Sequence, residues 1–162
     1  MFNEADIEKM FIDRATQNGW QYVPSDQIPR SMDSVLVNSW LRDSLLRLNP
    51  GLTEEQAGQV IHKLRAAIIG VQPHDLVAAN ERFRDLLFEQ NTYPFGKDGD
   101  HIPVRFFAEG DDEQQLNSYV ITNQWCYPKA SCEGGKRLDV VMLVNGIPLI
   151  IGELKTPVRA SV

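Results

Sequence analysis

The stretch from Arg137 to Pro157, RLDVVMLVNGIPLIIGELKTP, constrains the fold more than any other part of the chain. Two apolar runs are joined at Asn145-Gly146, a dipeptide that is strongly preferred in tight β-hairpin turns. The runs do not alternate between apolar and polar residues, which predicts a central strand pair that is covered on both faces. Such a hairpin needs a larger sheet and further layers around it.

The region before the hairpin predicts helices first and strands later. Helices are expected at about residues 3–18, 33–48, 53–69 and from 74 onward, and strands at about 103–108 and 117–127. Asn3 is expected to cap the first helix, and Thr53 with Gln56 to form a capping box at the third. The fourth is expected to open at His74–Asp75 with Leu76, Val77 and Leu87 facing inward. In the first helix Ile7, Met10, Phe11 and Ala15 recur at helical spacing, so we expect them to face the core. The order predicts one mixed α/β (α+β) domain over residues 1–162, with a helical part to about 90 and a sheet part over about 91–157.

Composition and cysteine usage favour a cytoplasmic protein. The 162 residues are 43% hydrophobic, without an apolar run long enough to span a membrane or a signal-peptide pattern. Cys126 and Cys132 have no further cysteine or histidine at zinc-binding spacing. A disulfide between them is the alternative, but unpaired thiols are favoured. The three histidines are scattered, which does not favour a histidine metal site.

The charge distribution limits how this chain can bind nucleic acid. Its net charge of −6 argues against a protein whose whole surface binds DNA. Residues 129–162 contain five basic and three acidic residues, so this end is +2 while residues 1–128 are −8. Any surface that faces DNA should therefore lie near the hairpin, although a chance difference over a short window explains the charge distribution about as well.

Three charged residues interrupt the apolar hairpin and suggest a catalytic site. Asp139 lies in the first strand, and Glu153 and Lys155 follow the second. Two carboxylates about 5 Å apart repel each other by roughly 3 kcal/mol at an effective dielectric constant near 20. A divalent cation makes the same arrangement favourable, and hard oxygen ligands suit Mg²⁺. A lysine beside them is suited to phosphodiester hydrolysis, where it orients water or stabilises charge on the phosphate.

The register of the hairpin decides whether these charges can act together. A strict two-residue turn pairs Val144 with Ile147 and leaves Asp139 and Glu153 on opposite faces. A three-residue loop with a glycine bulge pairs Leu143 with Ile147 and puts the two carboxylates on one face. A shared site therefore predicts this bulged turn or another odd shift in register.

The same residues resemble the nuclease motif of the type I restriction enzyme R subunit, in its N-terminal domain. That domain belongs to the PD-(D/E)xK nuclease superfamily. The resemblance extends over essentially the whole chain, through EADIEKMFIDRATQNGWQYV, LRDSLLRLNPGLTEEQAGQVIHKL, LVAANERFRDLL and NSYVITNQW. It implies a restriction-endonuclease-like central β-sheet that is flanked by helices and carries a helical insert.

The resemblance also implies roles for individual residues. Asp139 and Glu153 match the carboxylates that bind Mg²⁺, and Lys155 matches the catalytic lysine. The backbone carbonyl of Leu154 matches a further metal contact. Glu8 matches an acidic residue of the first helix that can complete the metal site, although a solvated helix-face glutamate fits the sequence almost as well. Gln124 is expected only as a polar neighbour.

For the whole enzyme, the resemblance implies a Mg²⁺-dependent DNA endonuclease within an ATP-driven translocating complex. The implied partners are double-stranded DNA and the modification (methyltransferase) and specificity subunits, with no membrane. ATP would bind to motor domains that follow this segment, so the chain is expected to be an N-terminal fragment. The alternatives are another phage-defence or repair nuclease of the superfamily, or a non-cleaving module that docks the complex.

Overall fold

Most of the helices precede most of the strands, as predicted, but residues 104–108 of the strand expected at 103–108 are not in a strand. The computed structural model describes residues 3–31, 34–70, 75–110, 114–127 and 136–155. In this part of the chain, four α-helices accompany a four-stranded mixed sheet and a two-stranded sheet, which confirms the predicted fold class. The helices are α1 (Glu4–Gln17), α2 (Asn38–Leu48), α3 (Glu54–Ile69) and α4 (Leu76–Phe88). The strands are β1 (Gln21–Tyr22), β2 (Thr92–Tyr93), β3 (Ile102–Pro103), β4 (Tyr119–Tyr127), β5 (Lys136–Val144) and β6 (Ile147–Gly152).

The chain forms two compact units, one of which is discontinuous in sequence. The sheet unit comprises Met1–Val37 and Ser118–Val162, and the helical unit comprises Asn38–Asn117. Helix α1 thus belongs with β4, β5 and β6, although more than a hundred residues separate it from β5 in sequence. The division near residue 90 was drawn from helical and strand patterns alone, and the compact units follow tertiary packing instead.

The four-stranded sheet has the order β1-β4-β5-β6. The short β1 runs parallel to β4, and the other neighbours are antiparallel. Ile121, Val140 and Met142 form a buried cluster with Ala15 of α1, so one face of the sheet is covered by that helix. Strand β5 is central, as predicted. Strand β6 is an edge strand among the described residues, and its apolar side chains at 149–151 are exposed, so the prediction of a fully covered pair is wrong for β6.

Helix α1 begins as its sequence predicts, but it presents a different stripe to the sheet. The side chain of Asn3 accepts from the backbone of Asp6, and the Asp6 carboxylate accepts from the Asn3 backbone, which completes a capping box. Ala15 is buried and Ile12 packs beside it. The predicted stripe is wrong at Met10 and Phe11, which are exposed because the sheet contacts the neighbouring helical face.

The helical unit has its own apolar core. Helices α2 and α3 bury Leu41, Leu45, Val60 and Leu64 completely. Helix α3 begins at the predicted capping box of Thr53 with Gln56. Helix α2 begins at Asn38, later than predicted, because the backbone at residue 37 is already committed to a hydrogen bond with Gly146 in the sheet unit's own hairpin.

Helix α4 contains a further difference from the sequence prediction. Leu87 is buried as expected, whereas Leu76 and Val77 in the first turn are exposed. Asp75 occupies the N-cap position but makes no capping bond with its side chain. His74, which was expected to open this helix, lies outside the described residues.

Two further findings bear on the sequence predictions. Within the described ranges, no helix is both long and apolar enough to cross a membrane. Cys126 is disulfide-bonded, so the expectation of an unpaired thiol is wrong at this position. Cys132 lies outside the described residues.

Candidate active site

The turn of the β5–β6 hairpin contains two residues, so the predicted three-residue loop is wrong. Val144 pairs with Ile147, and Asn145 and Gly146 take positive φ values of 54° and 80°. Asn145 is fully buried, and its side-chain oxygen and backbone N–H both bond the backbone of Ser118, the residue before β4. These bonds fix Asn145 in the left-handed conformation, which asparagine tolerates better than most residues.

An odd shift in register nevertheless occurs, three residues beyond the turn. Leu143 pairs with Pro148, but the next residue of β5, Met142, pairs with Ile150. Leu149 is therefore an extra residue in β6, and its exposed side chain lies at a β-bulge. The predicted shift is confirmed at a different place from the one preferred in the sequence analysis.

The shift determines where the carboxylates lie. The last observed pair of the ladder is Val140 with Gly152. Continuing that register by one residue places Asp139 directly across from Glu153. Without the bulge, Asp139 would have faced Gly152 and the two carboxylates would point to opposite faces.

A hydrogen bond ties Asp139 to the segment after β6. The backbone N–H of Leu154 donates to Oδ2 of Asp139 over 2.8 Å. The Leu154 side chain packs against the cluster that contains Val140 and Met142, so this segment is anchored to the α1 side of the sheet. Within the described ranges, Oδ1 of Asp139 and the Leu154 carbonyl accept no other hydrogen bond and are available to a ligand.

Glu153 and Lys155 lie on the surface beside this anchor. Their side chains are 76% and 78% exposed, and Nζ of Lys155 is 3.4 Å from Oε1 of Glu153. An exposed ion pair of this kind contributes about 0–1 kcal/mol. Both side chains can therefore turn toward a bound substrate at little energetic cost.

Glu8 of α1 is held by two amide side chains of β4. Nδ2 of Asn123 lies 2.5 Å from Oε1, and Nε2 of Gln124 lies 2.6 Å from Oε2. The Tyr22 hydroxyl donates to Oδ1 of Asn123 over 2.8 Å, which orients that amide. Asn123 and Tyr22 are not among the predicted site residues. Two adjacent amide residues inside an otherwise apolar strand were the available signal.

Gln124 interrupts the β4–β5 ladder opposite Asp139. Asn123 pairs with Val140 and Trp125 pairs with Leu138, while the step between them, at Gln124 and Asp139, is not paired. Gln124 has a φ of 51°, a left-handed conformation inside a strand. Strain of this kind costs about 1–3 kcal/mol and concentrates at functional sites.

The end of β4 beyond Gln124 is held by the loop after β1. Ser25 Oγ donates to the carbonyl of Gln124 over 3.2 Å. The buried Arg30 donates to the carbonyls of Cys126 and Ser34, and its guanidinium lies 3.9 Å from the centre of the Trp125 ring. Burial lowers the pKa of the Arg30 guanidinium. We assign this residue a structural role.

The oxygen atoms at this edge of the sheet suit a hard divalent cation. The available oxygens are the carboxylates of Asp139 and Glu153 and the carbonyl of Leu154, which match the ligand preference of Mg²⁺. Among the residues that the structure describes, no three acidic, histidine or cysteine side chains are gathered into a ready-made metal cluster. The donor set fits Mg²⁺ chemically, and the Glu8 carboxylate is bonded to the amides of Asn123 and Gln124.

Comparison with known proteins identifies the relatives of this chain. Residues 1–162 match the family model described as the type I restriction enzyme R protein N terminus. The chain is 30% identical over 170 residues to the type I restriction enzyme HindI endonuclease subunit of Haemophilus influenzae, which covers 99% of the chain and 16% of that protein. It is 26% identical over 161 residues to the putative type I restriction enzyme MjaIXP endonuclease subunit of Methanocaldococcus jannaschii, covering 93% and 15%. The chain thus spans about a sixth of the length of these relatives.

Proposed function

Because the chain belongs to the family of type I restriction enzyme R protein N termini, we propose that it is the endonuclease domain of an R subunit. In this proposal it hydrolyses phosphodiester bonds of double-stranded DNA at the edge of the sheet that carries Asp139. Two relatives are named as endonuclease subunits of type I restriction enzymes, which supports a nuclease role for the family.

The observation that carries the proposal is the bulge at Leu149. It shifts the ladder by one residue up to the last pair, Val140 with Gly152, and extending that register by one step sets Asp139 across from Glu153. A structural hairpin has no need to oppose two carboxylates, since like charges directly across a strand pair destabilise it. A site that binds a cation gains from the same arrangement.

In the proposed site Asp139, Glu153 and the Leu154 carbonyl would hold Mg²⁺, and Glu8 would complete the site. When bound, Mg²⁺ would supply charge stabilisation for the phosphate and a more acidic water. The Leu154 N–H keeps the Asp139 carboxylate in a fixed orientation. The exposed Lys155 ammonium can approach a phosphate, where it would stabilise negative charge or orient the attacking water.

The wider assembly belongs to the same proposal. The length of the relatives leaves room for ATP-binding motor domains outside the segment that this chain matches. Modification and specificity subunits would supply DNA recognition, which agrees with the net charge of −6 and the lack of a base-reading motif in this chain. Such an enzyme would act on DNA in the cytoplasm.

The test is the isosteric substitution Asp139→Asn in the intact R subunit, assembled with its partner subunits. We expect DNA cleavage with Mg²⁺ and ATP to be lost, while ATP hydrolysis continues at the wild-type rate. Asp26→Asn, an exposed carboxylate in the loop after β1, is the matched control and should cleave normally. Full cleavage by the Asp139→Asn enzyme would rule out this site.

A non-cleaving docking module is the competing function. The observation that favours it is the lack of a preassembled three-residue metal cluster among the described residues. A docking module predicts that Asp139→Asn leaves both cleavage by the complex and its assembly unchanged. The cleavage assay with the Asp139→Asn enzyme therefore distinguishes the two functions.

A further inference from the structure

We infer that Asn123 and Gln124 are positioning residues of the nuclease site, which hold the Glu8 carboxylate next to the strand step occupied by Asp139. Tyr22 supports them by orienting the Asn123 amide. We name the contacts of Glu8 with Asn123 and Gln124 the amide clamp. The inference rests on the proposed nuclease function. It adds roles for Asn123, Gln124 and Tyr22, which that proposal does not include.

The amide clamp uses both oxygens of the Glu8 carboxylate. Asn123 contacts Oε1 of Glu8 and Gln124 contacts Oε2, at 2.5 and 2.6 Å. Hydrogen bonds to a charged acceptor are shorter and stronger than those between neutral groups. Two such bonds from adjacent residues leave the carboxylate one orientation, which is the requirement for a group that completes a reactive site.

The backbone of Gln124 adopts a strained conformation. Ile121 packs against α1 within the apolar cluster, and Asn123, two residues further along β4, contacts Glu8 of that helix. By strand alternation, Gln124 would point to the other face. Its left-handed φ of 51° coincides with an amide that instead reaches Glu8. A strain of about 1–3 kcal/mol persists only where the surroundings require the conformation.

The strained residue, Gln124, lies next to the position of Asp139. Gln124 occupies the unpaired ladder step across from Asp139, on strands whose backbones lie about 5 Å apart. The same residue contacts Glu8 through its side chain. Gln124 thus links the helix that carries Glu8 to the strand position of Asp139.

The hydroxyl of Tyr22 specifies the orientation of the Asn123 amide. Tyr22 Oη donates to Oδ1 of Asn123, so Nδ2 is left to donate to Glu8. Tyr22 lies on β1, whose parallel pairing with β4 sets Tyr22 beside Ile121. The contacts form a chain from tyrosine to amide to carboxylate in which each donor has a defined acceptor.

The experiment compares Gln124→Gly and Tyr22→Phe in the intact R subunit and its complex. Glycine adopts a positive φ without strain, so Gln124→Gly removes the amide and keeps the backbone conformation. We expect the Mg²⁺ concentration for half-maximal cleavage to rise about tenfold or more, as when outer-shell partners of metal ligands are removed. Tyr22→Phe should raise it by a smaller factor. Gln27→Gly, which removes an exposed glutamine amide of the same unit, is the control and should not change it.

Two readouts separate positioning from structural support. Mn²⁺ affinity of the nucleotide-free R subunit, measured by calorimetry, should fall in Gln124→Gly by a similar factor. In a double-mutant cycle, Gln124→Gly should have no further effect once Glu8→Gln is present, because the clamp acts through Glu8. If Gln124→Gly fails to fold, Tyr22→Phe carries the same measurements, since it removes one hydroxyl and keeps the ring.

Wild-type Mg²⁺ dependence and Mn²⁺ affinity in both variants, together with loss of cleavage in Asp139→Asn, would show the clamp to be a structural tie only. That result overturns the inference and leaves the proposed function intact. Additive effects of Gln124→Gly and Glu8→Gln also overturn it. Normal cleavage by Asp139→Asn would remove the proposed function itself and the inference with it.

Discussion

Two polar networks, one in each compact unit, differ in what their amide side chains bond. In the helical unit, two asparagine amides bond the backbone: Asn49 accepts from the N–H and donates to the carbonyl of Arg105, and Asn117 does the same at Ala108. In the sheet unit, the side chains of Tyr22, Asn123 and Glu8 bond one another, which links strand β4 to helix α1. The same residue types thus appear in two kinds of network.

The difference indicates which polar side chains serve the fold and which serve the proposed site. A side-chain amide that mimics a neighbouring strand satisfies backbone groups and fixes a loop, which needs no further ligand. A carboxylate that is held by two amides, one of them on a residue with a strained backbone, has more hydrogen bonds and more strain than packing alone requires. Substitutions in the helical unit should therefore change stability, and substitutions at the sheet edge should change activity.

The largest expected effect is that of Lys155→Ala on DNA cleavage. Loss of the ammonium should lower the cleavage rate about 100-fold or more, the usual effect of removing one charge-stabilising donor. The free energy of unfolding should change by less than about 0.5 kcal/mol, since the side chain is exposed. Cleavage assays and urea unfolding measure the two quantities, and Lys97→Ala in the helical unit is the control. If Lys155→Ala lost much stability but cleaved DNA normally, Lys155 would have a structural role and the contrast between the two units would be wrong.

Asn49→Ala should produce the opposite pattern. It removes the partners of both backbone groups of Arg105 and one bond to the carbonyl of Leu45, so we expect a loss of about 2 kcal/mol in unfolding free energy. Cleavage measured below the unfolding transition should be unchanged. The exposed Asn80 on α4 is the matched control, and Asn80→Ala should be neutral in urea unfolding. A cleavage defect in Asn49→Ala would give the helical unit a role in activity.

Thr53→Ala tests the cap of α3 with a smaller effect. The Thr53 side chain accepts from the backbone of Gln56, and loss of such a cap costs about 1 kcal/mol. Thr53→Ser keeps the hydroxyl and should restore most of the stability in urea unfolding. Equal stability of the alanine and serine variants would contradict the role of the cap.

Tyr93→Phe should have the smallest effect, with the opposite sign. The Tyr93 hydroxyl is buried and has no hydrogen-bond partner in the structure described, so removing it should raise the unfolding free energy by up to about 1 kcal/mol.

Burial raises the pKa of Tyr93 to about 12. The unfolded chain loses this proton near pH 10, so wild-type stability should fall as the pH rises from about 10 to about 12. The Phe variant should lack this part of the pH dependence in unfolding measured against pH. An identical alkaline profile for both proteins would contradict the assignment.

Much of the fold could be predicted because the relevant signals are local. The N-cap at Asn3 and the capping box of Thr53 with Gln56 depend on residues within three positions of each other, and both predictions are confirmed. The hairpin signal at Asn145-Gly146 is equally local and is confirmed as a turn. The inward stripe of α1 failed at Met10 and Phe11, because the face that the sheet covers is decided by packing partners far away in sequence.

The predicted site residues were chosen by the same local reasoning and by resemblance. Asp139, Glu153, Leu154 and Lys155 lie within one hairpin, and their chemical types already suggest a cation and a phosphate. Their assignment remains a prediction until cleavage and metal binding are measured. Asn123 and Tyr22 could not be assigned from spacing, since they meet Glu8 only when β1, β4 and α1 come together.

Capping, turn preference and charge are properties of neighbouring residues, so the helices, the hairpin and the two carboxylates and lysine around it follow from the local sequence. The bulge at Leu149, the left-handed Gln124 and the contacts of Glu8 arise only when the strands and helix α1 pack together. Register and side-chain partners depend on which surfaces a strand finds on either side, and those surfaces come from residues more than a hundred positions apart.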